Sequence, residues 1–293
     1  MPRRSGRSRE VFFRAYREHE ARRVEVNNSM MALLAGSQLA SHLLNLSAGS
    51  SRLLPEIYPS VPHIGRFNLT SETANRILTS ADVHLGAMAV PYTLGLHEDF
   101  LKTCLHMLQR AGAISGATIR KAGLAGHHAL IAGATGGSFD SVSTEQLKVL
   151  RLMRNCVIHD GGRASADLAA YLENWSPAAE KSWVDLGGRN PDGLGKGDKV
   201  LLGHAEMVIA LAVTKRLDRI ANELLQLKVP RPMWAEIVVE DARATDKNLL
   251  TAPDAFRRIR GLARHHYGAL SLTESELRVA MTMPDGTREG QLL

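Results

Sequence analysis

Cysteine, aromatic residues and long apolar runs are what this chain of 293 residues has least of. The two cysteines, Cys104 and Cys156, stand far apart with no CxxC pair, which excludes a disulfide framework and fits a reducing, cytoplasmic setting. Both lie in apolar helical contexts and read as small core residues. Aromatics are only 5 % of the chain, while Leu and Ala are frequent, so the expected core is aliphatic and helical. No apolar run approaches the ~20 residues that span a bilayer, so no membrane partner is expected. The basic start, Met1 to Arg9, has no apolar stretch behind it and does not read as a secretory signal. His127-His128 and His265-His266 are adjacent pairs rather than pairs one helical turn apart, and no H-E-x-x-H occurs, so neither a metal nor a cofactor is expected. Gly193-Leu194-Gly195-Lys196-Gly197 fails the phosphate-loop pattern, with Asn190 and Gly197 at the wrong places, and reads as a surface turn.

What the chain does have is helix periodicity and Arg. Apolar residues are 44 % and charged residues 23 %, enough for a real core. The net charge is +6, with 27 Arg against nine Lys. That balance favours polyanionic partners, and the planar guanidinium fork matches phosphate. A helix, or two end to end, is expected over 9–47, with the charged middle from Arg17 to Arg23 solvated. An irregular Pro-rich connector over 52–69 follows. A helix from Ser71 is expected to run to about Ala89 and to be broken or kinked by Pro91; another covers 92–109 and stops at Gly112. A short helix is expected near 117–124 and a flexible Gly-rich loop at 133–138. Ser143 to Gln146 reads as a capping box for a helix to His159, closed by Asp160-Gly161-Gly162. A short helix over 164–172, a loop around 187–193, and an apolar helix from Val200 to Leu227 stopped by Pro230 and Pro232 come next. Trp234–Asp241 reads as helix, Thr251 to Asp254 opens another, and Thr273 to Glu276 is a second capping box. Few stretches alternate with period two. The expected fold is therefore all-α.

The helix ending at His159 carries the chemistry. At 100° per residue, Val149, Leu150, Leu152, Met153, Cys156 and Val157 share a core face, while Arg151, Arg154, Asn155 and His159 form an opposite stripe together with Leu147 and Ile158. Those two apolar residues mark a second packing face. Asn155 and His159 are one turn apart. His159 sits at the C-terminal end, where the helix dipole favours positive charge, and an imidazole is suited to general acid–base work. Arg154 is placed to grip phosphate. The same Arg-to-His spacing recurs at Arg14/His19 and Arg260/His265, but only Arg154 is followed by Asn.

Arg154-Asn155-Cys156-Val157-Ile158-His159, with the Gly pair behind it, resembles the R-x4-H signature of the HEPN family over roughly residues 70–227. The resemblance implies an up-and-down helical bundle of HEPN type at 70–227 and leaves the rest unassigned; helix periodicity adds a helical extension at 1–69 and a helical appendage at 228–293. It implies a symmetric homodimer formed through the Arg154–His159 helix, whose two motifs meet in one cleft. It also implies a metal-independent endoribonuclease in which His159 acts as acid and base, Arg154 stabilises phosphate charge and Asn155 orients. Such proteins are commonly toxins or antiviral defence effectors, which brings in an antitoxin or defence partner. Further RNA contacts are expected at Arg151 and in the basic run of Arg257, Arg258 and Arg260, with Arg3, Arg4, Arg7 and Arg9 reaching the backbone. Two other readings stand beside this one: a helical module that binds RNA or a nucleotide without cutting, and a structural protein whose polar stripe is only an interface.

Overall fold

The computed structural model describes residues 10–46, 52–61, 63–66, 69–191, 193–246 and 248–282. Among these residues it is all-helical, with no strand beyond two isolated β-bridges, Leu53 to Thr70 and Arg163 to Lys199. In chain order the helices are α1 (Arg14–Asn45), α2 (Leu54–Ile57), α3 (Ser71–Thr79), α4 (Ala81–Arg110), α5 (Gly116–Ala122), α6 (His127–Thr135), α7 (Ser141–His159), α8 (Ala166–Glu173), α9 (Pro177–Gly187), α10 (His204–Lys228), α11 (Arg231–Thr245), α12 (Ala255–His266) and α13 (Glu274–Thr282). No described helix is long and apolar enough to cross a membrane. The basic N-terminal run with Arg3, Arg4, Arg7 and Arg9 lies outside the described residues.

Several local expectations change. The helix that starts at Ser71 stops at Thr79, where Ser80 leaves the helical conformation and its hydroxyl caps the end by donating to the Arg76 and Ile77 carbonyls. α4 then continues without a break through Pro91. The proline forfeits one backbone hydrogen bond, but Val90 and Leu94 beside it are fully buried, and that burial outweighs the loss. Part of the Gly-rich stretch expected as a loop is α6, which buries His127, His128 and Ile131 and ends at Gly136 in the left-handed region. Helix α9, unforeseen, is capped by Ser176 with Pro177 in its first turn and buries Ala179 and Trp183. Pro232 opens α11 rather than ending α10, since the first turn of a helix has no use for the missing N–H. The capping box at Thr273 and Glu276 is present in both directions: Glu276 N–H donates to Thr273 Oγ1 at 3.2 Å and Thr273 N–H to Glu276 Oε2 at 2.7 Å.

The chain divides into two compact units. The first comprises Met1–Ala21, Gly95–Thr144 and Lys215–Leu293, and the second Arg22–Leu94 and Glu145–Thr214. The first unit's core joins Phe13, Tyr16, Phe100, Leu101, Leu105, Trp234, Val238 and Ile259 with Tyr267 and Leu277. Its extended start is held to α10, where Asn222 accepts from Val11 N–H at 2.9 Å and donates to Val11 O at 2.8 Å. Arg17 grips the Asp241 carboxylate with both terminal nitrogens, each at 2.8 Å, and Tyr267 donates to the same carboxylate. The stretch from Arg17 to Arg23 is therefore not simply solvated.

In the second unit, Gln146 is fully buried and donates to Ala179 O at 3.1 Å, and because α7 already begins at Ser141, with Ser143 N–H donating to Asp140 Oδ2 at 2.9 Å, Ser143 is not the cap of a capping box. The loop between α9 and α10 is tied down by Arg189, whose guanidinium binds the buried Glu206 carboxylate, which also accepts from Gly203 N–H. The 193–198 segment is a turn: Gly193 and Gly197 have positive φ, and Asp198 accepts from Gly195 N–H at 2.8 Å.

Candidate functional site

In the second unit, α7 ends as its sequence suggests. Asp160 N–H and Gly162 N–H both reach Cys156 O, at 3.1 and 2.9 Å, and Gly161 and Gly162 take φ of 62° and 77°. This closes the helix with a left-handed turn that a Cβ would strain. The chain beyond it is pinned as well. Gly162 O accepts from Val200 N–H at 2.9 Å, and Ala164 exchanges backbone bonds with Asp198 and Gly197. Ser165 then caps α8 by accepting from Leu168 N–H at 3.2 Å. His159 thus stands at the end of a helix whose exit is fixed on both sides.

On α7, Val149, Leu150, Met153 and Cys156 are buried, as the periodicity requires. Leu147 is also buried, at 1 % exposure, so the N-terminal part of the second apolar stripe is already covered. Ile158 is 49 % exposed. Asn155 and His159 are exposed, and neither side chain has a partner among the described residues. Arg151 and Arg154 are half-buried and engaged. The arrangement offers an uncommitted imidazole and amide about 6 Å apart along the helix axis. An exposed apolar side chain lies beside them, with a guanidinium directly before Asn155.

The other expected RNA contacts are committed locally, in the first unit. Arg257 pairs with Asp254 and Arg258 with Asp246, both at 3.0 Å, and Arg260 binds Glu274. Such exposed pairs stabilise little, but they set a carboxylate against each of the three guanidinium groups of the run.

The first unit also holds a cluster that sequence reasoning missed. Asp218 of α10, with no exposure, receives His19 Nε2 from α1 at 2.7 Å and His97 Nδ1 from α4 at 2.6 Å. His97 Nε2 meets His128 Nε2 from α6 at 3.0 Å. Burial alone would push the Asp218 carboxyl up, but His97 and His19 outweigh it and hold it below the usual carboxylate range. An ionised carboxylate only accepts, so both rings donate to it. One proton lies between His97 Nε2 and His128 Nε2, on whichever ring nitrogen the tautomers place it. Phe100 stacks on His19 at 4.7 Å and Phe139 meets His128 edge-on at 4.8 Å, sealing the chain in aromatic surface. Among the described residues no group of three or more His, Cys, Asp or Glu is arranged to hold a metal ion. Sealed from solvent, the His19–Asp218–His97–His128 chain anchors four helices to one charge. Its signal was present in the sequence: Asp218 falls on the same helical stripe as Thr214, Ala221 and Leu225, where a carboxylate survives only with partners.

No family model, no curated protein and no solved structure matches this chain.

Proposed function

We propose that this protein is a metal-independent endoribonuclease that acts as a homodimer, with Arg154, Asn155 and His159 at the reacting phosphate. The observation that supports it best is the pairing of Asn155 and His159, exposed and unpartnered one turn apart, at a helix end fixed by two left-handed glycines. In the reaction, the His159 imidazole takes the proton of a ribose 2′-hydroxyl. The oxygen attacks the adjacent phosphorus, the bond to the 5′-oxygen breaks, and an imidazolium returns the proton to that oxygen. The products are a 2′,3′-cyclic phosphate and a 5′-hydroxyl. Arg154 stabilises the charge that builds on the non-bridging oxygens, and Asn155 orients the phosphate. Ile158, exposed beside them, offers the apolar contact for the second copy. A toxin or antiviral effector, with an antitoxin or defence partner that restrains it, is the setting such an activity suits.

The test is cleavage of total cellular RNA by the purified full chain in EDTA. Wild-type protein is expected to cut and leave 5′-hydroxyl ends. His159→Ala is expected to lose at least about 100-fold in rate while its sedimentation stays unchanged. Tight, salt-sensitive binding without cutting would replace the nuclease with a binding module. Equal cutting by both proteins would place the chemistry elsewhere.

A further inference from the structure

α7 and α8 of the second unit border an open cleft of about 540 Å³, lined by Glu145, Lys148 and Leu152 from α7, by Asp167 and Tyr171 from α8, and by Asn174 just past its end. The cleft continues the stripe of the motif. Leu152, expected on the core face, is half-buried at its edge, and with Lys148, Asn155 and His159, at steps of four, three and four residues, it borders the motif's side of α7. Leu152 is about 10 Å from His159 along the axis, a distance that a short run of single-stranded RNA spans.

The chemistry of the lining selects what enters. Glu145 and Asp167 bring two carboxylates against one ammonium, so the cleft repels phosphate. Tyr171 is half-buried, with Lys148 Nζ 6.0 Å from its ring centroid, and gives a flat aromatic wall. Glu145 is occupied, accepting from Ser176 N–H at 3.1 Å. Asp167, in the first turn of α8, has no partner among the described residues. A free carboxylate beside an aromatic wall suits a planar ring that presents two adjacent N–H donors. Single-stranded RNA is read in this way, by stacking and by hydrogen bonds to base edges. Among the four bases only guanine offers such a pair of donors, N1–H and the N2 amine, on one edge.

We propose that the α7–α8 cleft holds a guanine base of the RNA, stacked on Tyr171 and donating to both oxygens of Asp167, and thereby sets the base preference of cleavage. RNA as the polymer rests on the ribonuclease reading; the base preference rests on the cleft.

The decisive measurement is equilibrium binding to the full chain carrying His159→Ala, so that nothing is cut. The probes are fluorescent uridine hexamers holding one central guanosine, inosine, adenosine or none. The guanosine probe is expected to bind about tenfold more tightly than the all-uridine probe, with inosine, which lacks the N2 amine, between them. Adding Tyr171→Ala is expected to weaken guanosine binding about tenfold, and adding Tyr171→Phe to leave it intact. Asp167→Asn is expected to erase the guanosine preference while keeping the residual affinity. Absence of base preference, or a preference that survives Asp167→Asn, would overturn the proposal. If the wild-type chain then cuts RNA in EDTA with no base bias, the nuclease stands and the cleft assignment fails. Guanosine-selective binding by a chain that never cuts has the opposite meaning, and no binding to any probe defeats both.

Discussion

Two glycines on α4 should respond to the same substitution with opposite signs. A Cβ added to Gly86 would stand 2.1 Å from Leu202 O and 2.5 Å from Leu202 C, where real Cβ contacts under 3.0 Å are essentially unknown. The opposing backbone would have to retreat from 2.1 Å to at least 3.4 Å, about 1.3 Å, to reach ordinary contact. It has little freedom to do so, because Leu202 is buried and Gly203 N–H is held by Glu206, itself bound to Arg189. Gly86→Ala gains about 1 kcal/mol of helix propensity. Against that stand an overpacking cost of about 1–3 kcal/mol and about 1 kcal/mol for a disturbed cap at Gly203. The expected net effect is a loss of about 1–3 kcal/mol. Gly95, nine residues on in the same helix, is exposed with nothing within 4 Å of the added carbon, so Gly95→Ala should gain about 0.5–1 kcal/mol. Urea midpoints followed by circular dichroism would compare both variants with wild type. Amide exchange at Gly203 would report whether the loss is local to that contact. Gly86→Ala as stable as Gly95→Ala, with Gly203 exchange unchanged, would refute the close approach of α4 to the Leu202 segment.

Asp218→Asn should destabilise the chain by about 3–5 kcal/mol at neutral pH, since it strands two imidazoles that now share one buried charge, and chemical denaturation measures this directly. The folded carboxyl lies below its ordinary value, so its stabilisation is present above the unfolded pKa, near 4, and fades as pH falls through the lower folded value. The wild-type stability curve should therefore fall more steeply on acidification than that of the Asn variant, and parallel curves would contradict the assignment. Gly161→Ala should cost about 1–2 kcal/mol through its φ of 62° and, on the proposed ribonuclease reading, reduce RNA cleavage by disturbing the end of α7. Gly161→Asn, which tolerates the left-handed region, should retain more of both, and equal behaviour of the two variants in melting and cleavage assays would show that φ is not the cause.

Features set by neighbouring residues were legible before the fold. The Thr273–Glu276 box, the left-handed closures at Gly112 and Gly161–Gly162 and the apolar stripe of α10 depend on spacing within a few residues, and they are found where spacing puts them. Features that depend on distant partners were not. Pro91 reads as a helix breaker until the burial of Val90 and Leu94 is known. Residues 133–135 read as loop because Gly and Ala carry little periodicity, yet they complete α6, whose His128 and Ile131 find a buried place in the first unit. Gln146 fits a capping box by spacing, but its amide is drawn to Ala179 O, 33 residues away.

The Arg-to-His spacing shows how far local pattern reaches toward function. It occurs at 14/19, 154/159 and 260/265, and nothing in the spacing separates the three. Their surroundings do. Arg14 turns to Glu18 at 2.8 Å and His19 disappears into the Asp218 anchor, so that pair is divided between a surface ion pair and the core. Arg260 is held by Glu274, and His265 packs edge-on to His266 at 4.4 Å. At 154/159 the imidazole is exposed and uncommitted, and the amide one turn before it is equally free. A folded protein gains nothing in stability from leaving both groups unpaired at a fixed helix end beside an exposed isoleucine. Arg154 is engaged as Arg14 and Arg260 are, so what separates this site is the unpartnered His159 and Asn155, the chemistry on which the proposed substrate contact rests.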